Sequence, residues 1–145
     1  MPVGRRLSVT ERLRLIAEIL RSYRDARKAL RHASIAPAVQ ALRSNWPAVA
    51  QHPTDFPSAG EQRLLQEAWR LGRAVRLTLR LLPGDTRCLT RSLVLTQMLA
   101  RRGIPATLVI GARTEPRFLA HAWVEHAGEP VLPSGGGSFG RLVEL

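Results

Sequence analysis

Residues 88–112 read CLTRSLVLTQMLARRGIPATLVIGA, and they join a predicted helix directly to a predicted strand. The helix ends at ARRGIP, where basic residues fill the last turn, Gly103 supplies a left-handed cap and Pro105 follows. The segment 106–112, ATLVIGA, is apolar and contains β-branched residues, which is typical of a buried strand. The stretch therefore predicts a helix that leads into a sheet.

Further strands are predicted after this first one. Residues 120–126, AHAWVEH, alternate and predict a second strand. The next four residues, AGEP, predict a turn, and VLP at 131–133 begins a third strand that returns antiparallel to the second. The closing GRLVEL predicts a fourth strand. Together these segments predict a small antiparallel sheet.

Three helices are predicted before this stretch. The first begins at the capping-box pattern SVTE, residues 8–11, and carries an apolar stripe to about Leu30. A second helix starts at Ile35 and ends before Pro47, and a third covers 61–82. An order of helices first and a small antiparallel sheet last predicts an α+β fold.

Length and composition are those of an ordinary globular protein. The chain has 145 residues, of which 45% are hydrophobic and 23% charged. We therefore expect a single domain over 1–145, with a helical part in 1–82 and a core in 83–145. The first residues contain no apolar signal-peptide segment, and no run is long enough to cross a bilayer. We expect a cytoplasmic protein with no membrane partner.

The chain is strongly basic, with a net charge of +11, and every Lys or Arg position except Lys28 is an arginine. These arginines are spread through every segment, which favours a compositional bias over a binding patch. No helix-turn-helix or aromatic-basic motif accompanies them. We therefore expect no nucleic-acid partner.

Cys88 is the only cysteine, and it stands where the Pro83-Gly84 turn gives way to a predicted helix that Thr86 can cap. A lone cysteine forms no internal disulfide, and with four histidines in the chain it does not indicate a zinc site, so we expect no metal and no organic cofactor. Unpaired backbone amides at a helix start favour the thiolate, which makes Cys88 a candidate nucleophile. The alternative is a small core residue.

His121 is the candidate base for this thiol. An imidazole accepts and returns a proton near neutral pH, and a strand returning from the sheet can pack against the first turn of a buried helix. The alternative is a core histidine next to Trp123. His126 falls in the predicted turn, where we expect it to be solvated.

Two stretches resemble a known family: residues 88–112, and AHAWVEHAGEPV at 120–131. They resemble the protease part of the lasso peptide biosynthesis B proteins, which are transglutaminase-like cysteine peptidases. The resemblance implies that 83–145 is a transglutaminase/papain-like catalytic core. It places the family's nucleophile on Cys88 and its base on His121, with the backbone amide of Cys88 contributing to an oxyanion hole.

The third catalytic position of that family differs in this chain. Relatives usually carry an aspartate there, whereas the matching register here falls on Pro133, with Ser134 next to it, and neither is a carboxylate. With a two-residue turn at 127–128, Ser134 lies opposite His121 and its hydroxyl is the candidate that orients the ring. A backbone carbonyl, or a dyad without a third member, are the alternatives. Glu125 is about 13 Å along the strand from His121, and Glu129 lies near the hairpin tip.

The resemblance also implies an activity and partners. Family members remove the leader from a ribosomally made precursor, and a separate ATP-dependent cyclase then closes the core peptide into a lasso. Some relatives are fused to a leader-recognition domain for which 145 residues leave no room. We therefore expect a separate leader-recognition protein, with the basic surface or the first helix contacting an acidic leader. The alternative function is a non-catalytic scaffold that presents the precursor to the cyclase.

Overall fold

The fold is described by a computed structural model for residues 6–32, 34–43, 59–83, 88–132 and 138–145. Within these ranges the helices are α1 (Val9–His32), α2 (Ile35–Arg43), α3 (Ala59–Arg80) and α4 (Cys88–Arg101). The strands are β1 (Thr107–Arg113), β2 (Leu119–His126), β3 (Glu129–Pro130) and β4 (Gly140–Glu144). The strands pair antiparallel in the order β3-β2-β1-β4. Helices followed by an antiparallel sheet confirm the α+β prediction.

The first helix begins at the predicted capping box. The backbone N–H of Ser8 donates to Glu11 Oε2 at 2.7 Å, and the N–H of Glu11 donates to Ser8 Oγ at 3.2 Å. Both bonds satisfy amides that a helix start otherwise leaves unpaired. The predicted second and third helices are also present, while Trp46 and Pro47 lie outside the described residues.

The centre of the fold is α4, whose residues 92–99 are all buried. A helix that is buried on all sides needs neighbours on all sides, and α4 packs against α1, α2 and α3 as well as against β2. At its end, Arg102 forms an ion pair with Glu18 of α1 at 2.7 Å. Gly103 follows with a φ of 65°, which is the predicted left-handed cap.

The hairpin between β2 and β3 is tighter than the sequence indicates. Ala127 and Gly128 have φ of 51° and 78°, and they alone form the turn, so that His126 pairs with Glu129. Positive φ at both central positions is the geometry of a two-residue hairpin turn. The prediction that AGEP is the turn is therefore wrong, because its last two residues already form β3.

The prediction that the third strand begins at VLP is also wrong, because β3 covers Glu129–Pro130. The N–H groups of Val131 and Leu132 both donate to the carbonyl of Val124, at 2.9 and 3.4 Å, which ends the regular pairing after Pro130. Both side chains are 5% exposed and belong to the hydrophobic core. The chain thus leaves the strand ladder in order to bury two large apolar side chains.

Helix α3 covers the β3 edge of the sheet at close range. The indole N–H of Trp69 donates to the carbonyl of Pro130 at 3.2 Å. One turn later, Gly72 is buried against the chain after β3, where an added Cβ would lie 2.2 Å from the Val131 carbonyl oxygen. Only glycine permits this approach of helix to backbone.

The opposite edge of the sheet is β4, the strand predicted from GRLVEL. It pairs with β1, and the pairing shifts by one residue between Ile110 and Gly111, which leaves an extra residue, Leu142, in β4. In the described part of the chain, no helix is both long and apolar enough to cross a membrane.

Candidate active site

Cys88 is the first residue of α4, as predicted from its position after the Pro-Gly turn. Its side chain is half-buried and the thiol is free. Residues 84–87, which include the predicted capping residue Thr86, lie outside the described residues. Cys88 therefore lies in the first turn of α4, where the backbone amides have no partner within the helix.

His121 lies in β2, opposite Gly111 of β1, and is half-buried. Side chains alternate along a strand, and the two faces of this sheet have different surroundings. Leu108 and Val124 belong to the core shared with α1, α3 and α4. His121 and Trp123 lie on the opposite face, which is also covered, since Trp123 is only 5% exposed.

The structure brings His121 together with two aromatic rings. The ring centroids of His121 and Trp123 are 6.2 Å apart, with 19° between the ring planes. Phe139, just before β4, lies 5.4 Å from the imidazole at 34°, and 6.3 Å from Trp123. These separations are within the range of favourable aromatic contacts. We call His121, Trp123 and Phe139 the aromatic cluster.

Glu125 binds the Trp123 side chain of this cluster, a role that the sequence did not indicate. The indole N–H of Trp123 donates to Glu125 Oε1 at 2.7 Å. Arg141 of β4 donates to both oxygens of the same carboxylate, at 2.8 and 3.0 Å. The alternation of His121, Trp123 and Glu125 on one strand face was visible in the sequence, but the pairing with Arg141 was not, because it depends on how β4 joins the sheet.

The environment of Glu125 favours its ionised form. Burial by itself raises the pKa of this carboxyl, but hydrogen bonds from Arg141 and Trp123 and the positive charge of Arg141 outweigh it, so that the pKa lies below its ordinary value of 4.5. The side chain is therefore a carboxylate at neutral pH, with both oxygens occupied by donors.

This lowered pKa predicts how stability depends on pH. A carboxylate with a lower pKa in the folded than in the unfolded protein stabilises the fold above the unfolded pKa, and the contribution is lost as pH falls through the folded pKa. Glu18 contributes to stability with the same pH dependence, because hydrogen bonds from Arg102 lower the pKa of its carboxyl. We expect the free energy of unfolding, measured with urea, to decrease as pH falls below about 4.5, and to decrease less in Glu125→Gln.

The exposed Glu129 supplies the control for that measurement. Glu129→Gln should follow the pH dependence of the wild-type protein. Equal pH dependence in the wild type and in Glu125→Gln would contradict the assigned role of this carboxylate.

His126 is not solvated, which corrects the expectation from the sequence. It is the last residue of β2 and is 5% exposed. Its Nδ1 lies 2.6 Å from the carbonyl oxygen of Pro105, and since a carbonyl only accepts, Nδ1 carries the proton. His126 lies on the same strand face as Val124, which belongs to the core, so this face is buried as far as the last residue of β2. This bond joins the end of β2 to the segment just after α4.

The third predicted site residue, Ser134, lies outside the described residues, so its place opposite His121 stays a prediction. The two-residue turn on which that prediction depends is present at Ala127 and Gly128. Regular strand pairing is described only as far as Pro130. Among the residues that the structure does describe, no group of three His, Cys, Asp or Glu side chains could hold a metal ion.

The chain is similar to known proteins over part or most of its length. A stretch of 44 residues is 50% identical to the microcin J25-processing protein McjB of Escherichia coli, and it covers 30% of this chain and 21% of that protein. The match thus spans about a fifth of the curated relative. No solved structure matches the chain. The transglutaminase-like superfamily matches residues 29–144, a range that includes α2, α3, α4 and all four strands, and the chain belongs to this superfamily.

Proposed function

We propose that this protein is a cysteine peptidase that removes the leader from a lasso peptide precursor. The observation that carries the proposal is the position of Cys88, the only thiol, at the start of a central helix that packs on the strand containing His121. Membership of the transglutaminase-like superfamily and the similarity to a microcin-processing protein support it.

The topology supports a meeting of Cys88 and His121. The bond from His126 to Pro105 joins the end of β2 to the chain just after α4. His121 lies about 17 Å back along the strand, and Cys88 lies about 20 Å back along the helix. Because α4 packs against β2, both residues lie towards the same end of the sheet. The core contacts of α4 use the sheet face opposite to the one that carries His121. The thiol and the imidazole would therefore meet at the end of the sheet towards which both residues lie.

The proposed reaction is acyl transfer. His121 accepts the proton of the Cys88 thiol, and the thiolate sulfur attacks the carbonyl carbon of the scissile bond. The carbonyl oxygen becomes an oxyanion next to the backbone N–H of Cys88. The C–N bond then breaks as His121 gives its proton to the leaving amine, and water hydrolyses the thioester to a carboxylate and free thiol. Ser134 is the proposed third residue.

The proposal includes partners. A separate leader-recognition protein would deliver the precursor, and a cyclase would close the released core peptide. No nucleic acid, membrane or cofactor takes part in the proposed reaction, and we propose a cytoplasmic location.

Mass spectrometry of a cognate precursor tests the proposal. The precursor is incubated with this protein and the leader-recognition protein, with and without prior treatment of this protein by iodoacetamide. We expect one cut between leader and core, which is lost when the thiol is alkylated. Because Cys88 is the only cysteine of this chain, the modified residue is known. The reagent must be removed before the partner is added.

An intact precursor in both samples, with the three components bound to each other, would reject the peptidase. It would support the non-catalytic scaffold, in which the same fold presents the precursor to the cyclase. A cut that survives complete alkylation of Cys88 would equally reject the proposed nucleophile.

A further inference from the structure

The imidazole of His121 has aromatic rings on more than one side. It lies nearly parallel to Trp123, with 19° between the planes, and Phe139 approaches it at 34°. Contacts of this kind limit the rotation of a half-buried ring about its side-chain bonds. The orientation of the imidazole therefore depends on where the Trp123 ring is held.

Trp123 is itself held from two directions. A Cβ at position 111 would lie 2.8 and 2.9 Å from Cη2 and Cζ3 of the indole, so the ring occupies the space that any side chain at Gly111 would need. Gly111 is also the strand partner of His121. The other end of the ring is held by the indole N–H, which donates to Glu125 at 2.7 Å.

Glu125 is in turn fixed by the neighbouring edge strand. Arg141 binds both carboxylate oxygens, and its Nε also donates to Glu144. Glu125 is 9% exposed. A buried donor that loses its acceptor is costly, so removing this side chain would release the indole from its place.

We propose that Glu125 is a positioning residue for His121, acting through Trp123. The inference rests on the proposed function only for its effect on catalysis. Glu125 lies about 13 Å along the strand from His121, too far for a direct hydrogen bond. It sets the place of the indole, and the indole sets the plane of the imidazole. Small displacements of a catalytic group lower the rate strongly.

Two substitutions at position 125 separate the effect of side-chain length from the effect of charge. Glu125→Gln keeps the side-chain length and an acceptor oxygen for the indole N–H, but loses the charge. Glu125→Asp keeps the charge, but its carboxylate is one methylene shorter and moves away from the indole. We expect kcat for leader cleavage to stay within about threefold of wild type in Glu125→Gln and to fall about tenfold or more in Glu125→Asp, with KM nearly unchanged in both.

A second measurement does not require activity. The ring protons of His121 feel the ring current of Trp123, and their NMR signals are identified by their loss in His121→Gln. We expect these signals to move in Glu125→Asp and to stay near their wild-type positions in Glu125→Gln. Glu129→Gln, on the neighbouring strand β3, is the matched control and should change neither kcat nor the signals.

The outcomes are distinct. A lower kcat in Glu125→Gln than in Glu125→Asp would overturn the proposal in favour of a role for charge. Unchanged His121 signals in Glu125→Asp would overturn it as well, because the carboxylate would then stabilise the fold without orienting the ring. If the wild-type protein cuts no precursor, the proposed function fails, while the NMR comparison still decides whether Glu125 positions His121.

Discussion

Leader cleavage is expected to fall about 10⁴-fold or more in Cys88→Ala, and about 10²- to 10⁴-fold in His121→Ala. Alanine at position 88 removes the sulfur atom of the proposed nucleophile. Alanine at 121 removes the imidazole that is proposed to accept the thiol proton and to protonate the leaving amine. The rate of appearance of the free core peptide, followed by mass spectrometry, measures both losses.

The control for these variants is another histidine of the same chain. His32 is exposed at the end of α1, and His32→Ala should cleave at the wild-type rate. Circular dichroism should show that all three variants are folded. Undiminished cleavage by folded Cys88→Ala and His121→Ala would assign the cut to a different residue pair and would contradict the proposed site.

The free energy of unfolding is expected to fall by about 3 kcal/mol in Gly72→Ala, since overpacking a close contact typically costs this much. The added Cβ would lie 2.2 Å from the Val131 carbonyl oxygen and 3.4 Å from a methyl group of Leu95. A backbone oxygen does not rotate away as a side chain does, so α3 must shift from the β3 edge. For a domain of this size the loss corresponds to a decrease in Tm of about 6–12 °C.

The same substitution elsewhere in α3 gives the control. Gly60 lies in the first turn of the helix and is exposed. Gly60→Ala should leave Tm unchanged or raise it slightly, because alanine favours a helix by up to about 1 kcal/mol relative to glycine. A Tm of Gly72→Ala equal to that of Gly60→Ala would show that the close approach of α3 to Val131 is not required for stability.

Local signals in the sequence were sufficient to predict the helices, the strands β1, β2 and β4, and the position of Cys88 at a helix start. Helical periodicity, the SVTE capping box and the Gly103 cap involve residues within one or two turns of each other, so they are visible in one dimension. The position of Cys88 at a helix start followed from the Pro-Gly turn before it, for the same reason.

The hairpin shows where local reasoning ends. Residue type alone does not show which residues of AGEP form the turn. The two-residue turn is selected by the strand pairing on both sides of it. The two-residue turn lets β3 begin at Glu129, while His126 is buried because it shares a strand face with Val124 and lies against the carbonyl of Pro105. Strand β3 ends where Val131 and Leu132 enter the hydrophobic core. No pattern within the strand itself indicates this end.

By itself the sequence determined the α+β order of elements, the helix start at Cys88 and the strand that contains His121, because each depends on contacts between near neighbours in the chain. Only the tertiary structure decided the contact of Gly72 with Val131, and the link from His121 through Trp123 and Glu125 to Arg141. The contacts of Gly72 with Val131 and of Glu125 with Arg141 join distant parts of the chain, so their geometry exists only once helix α3 and strand β4 have packed against the opposite edges of the sheet.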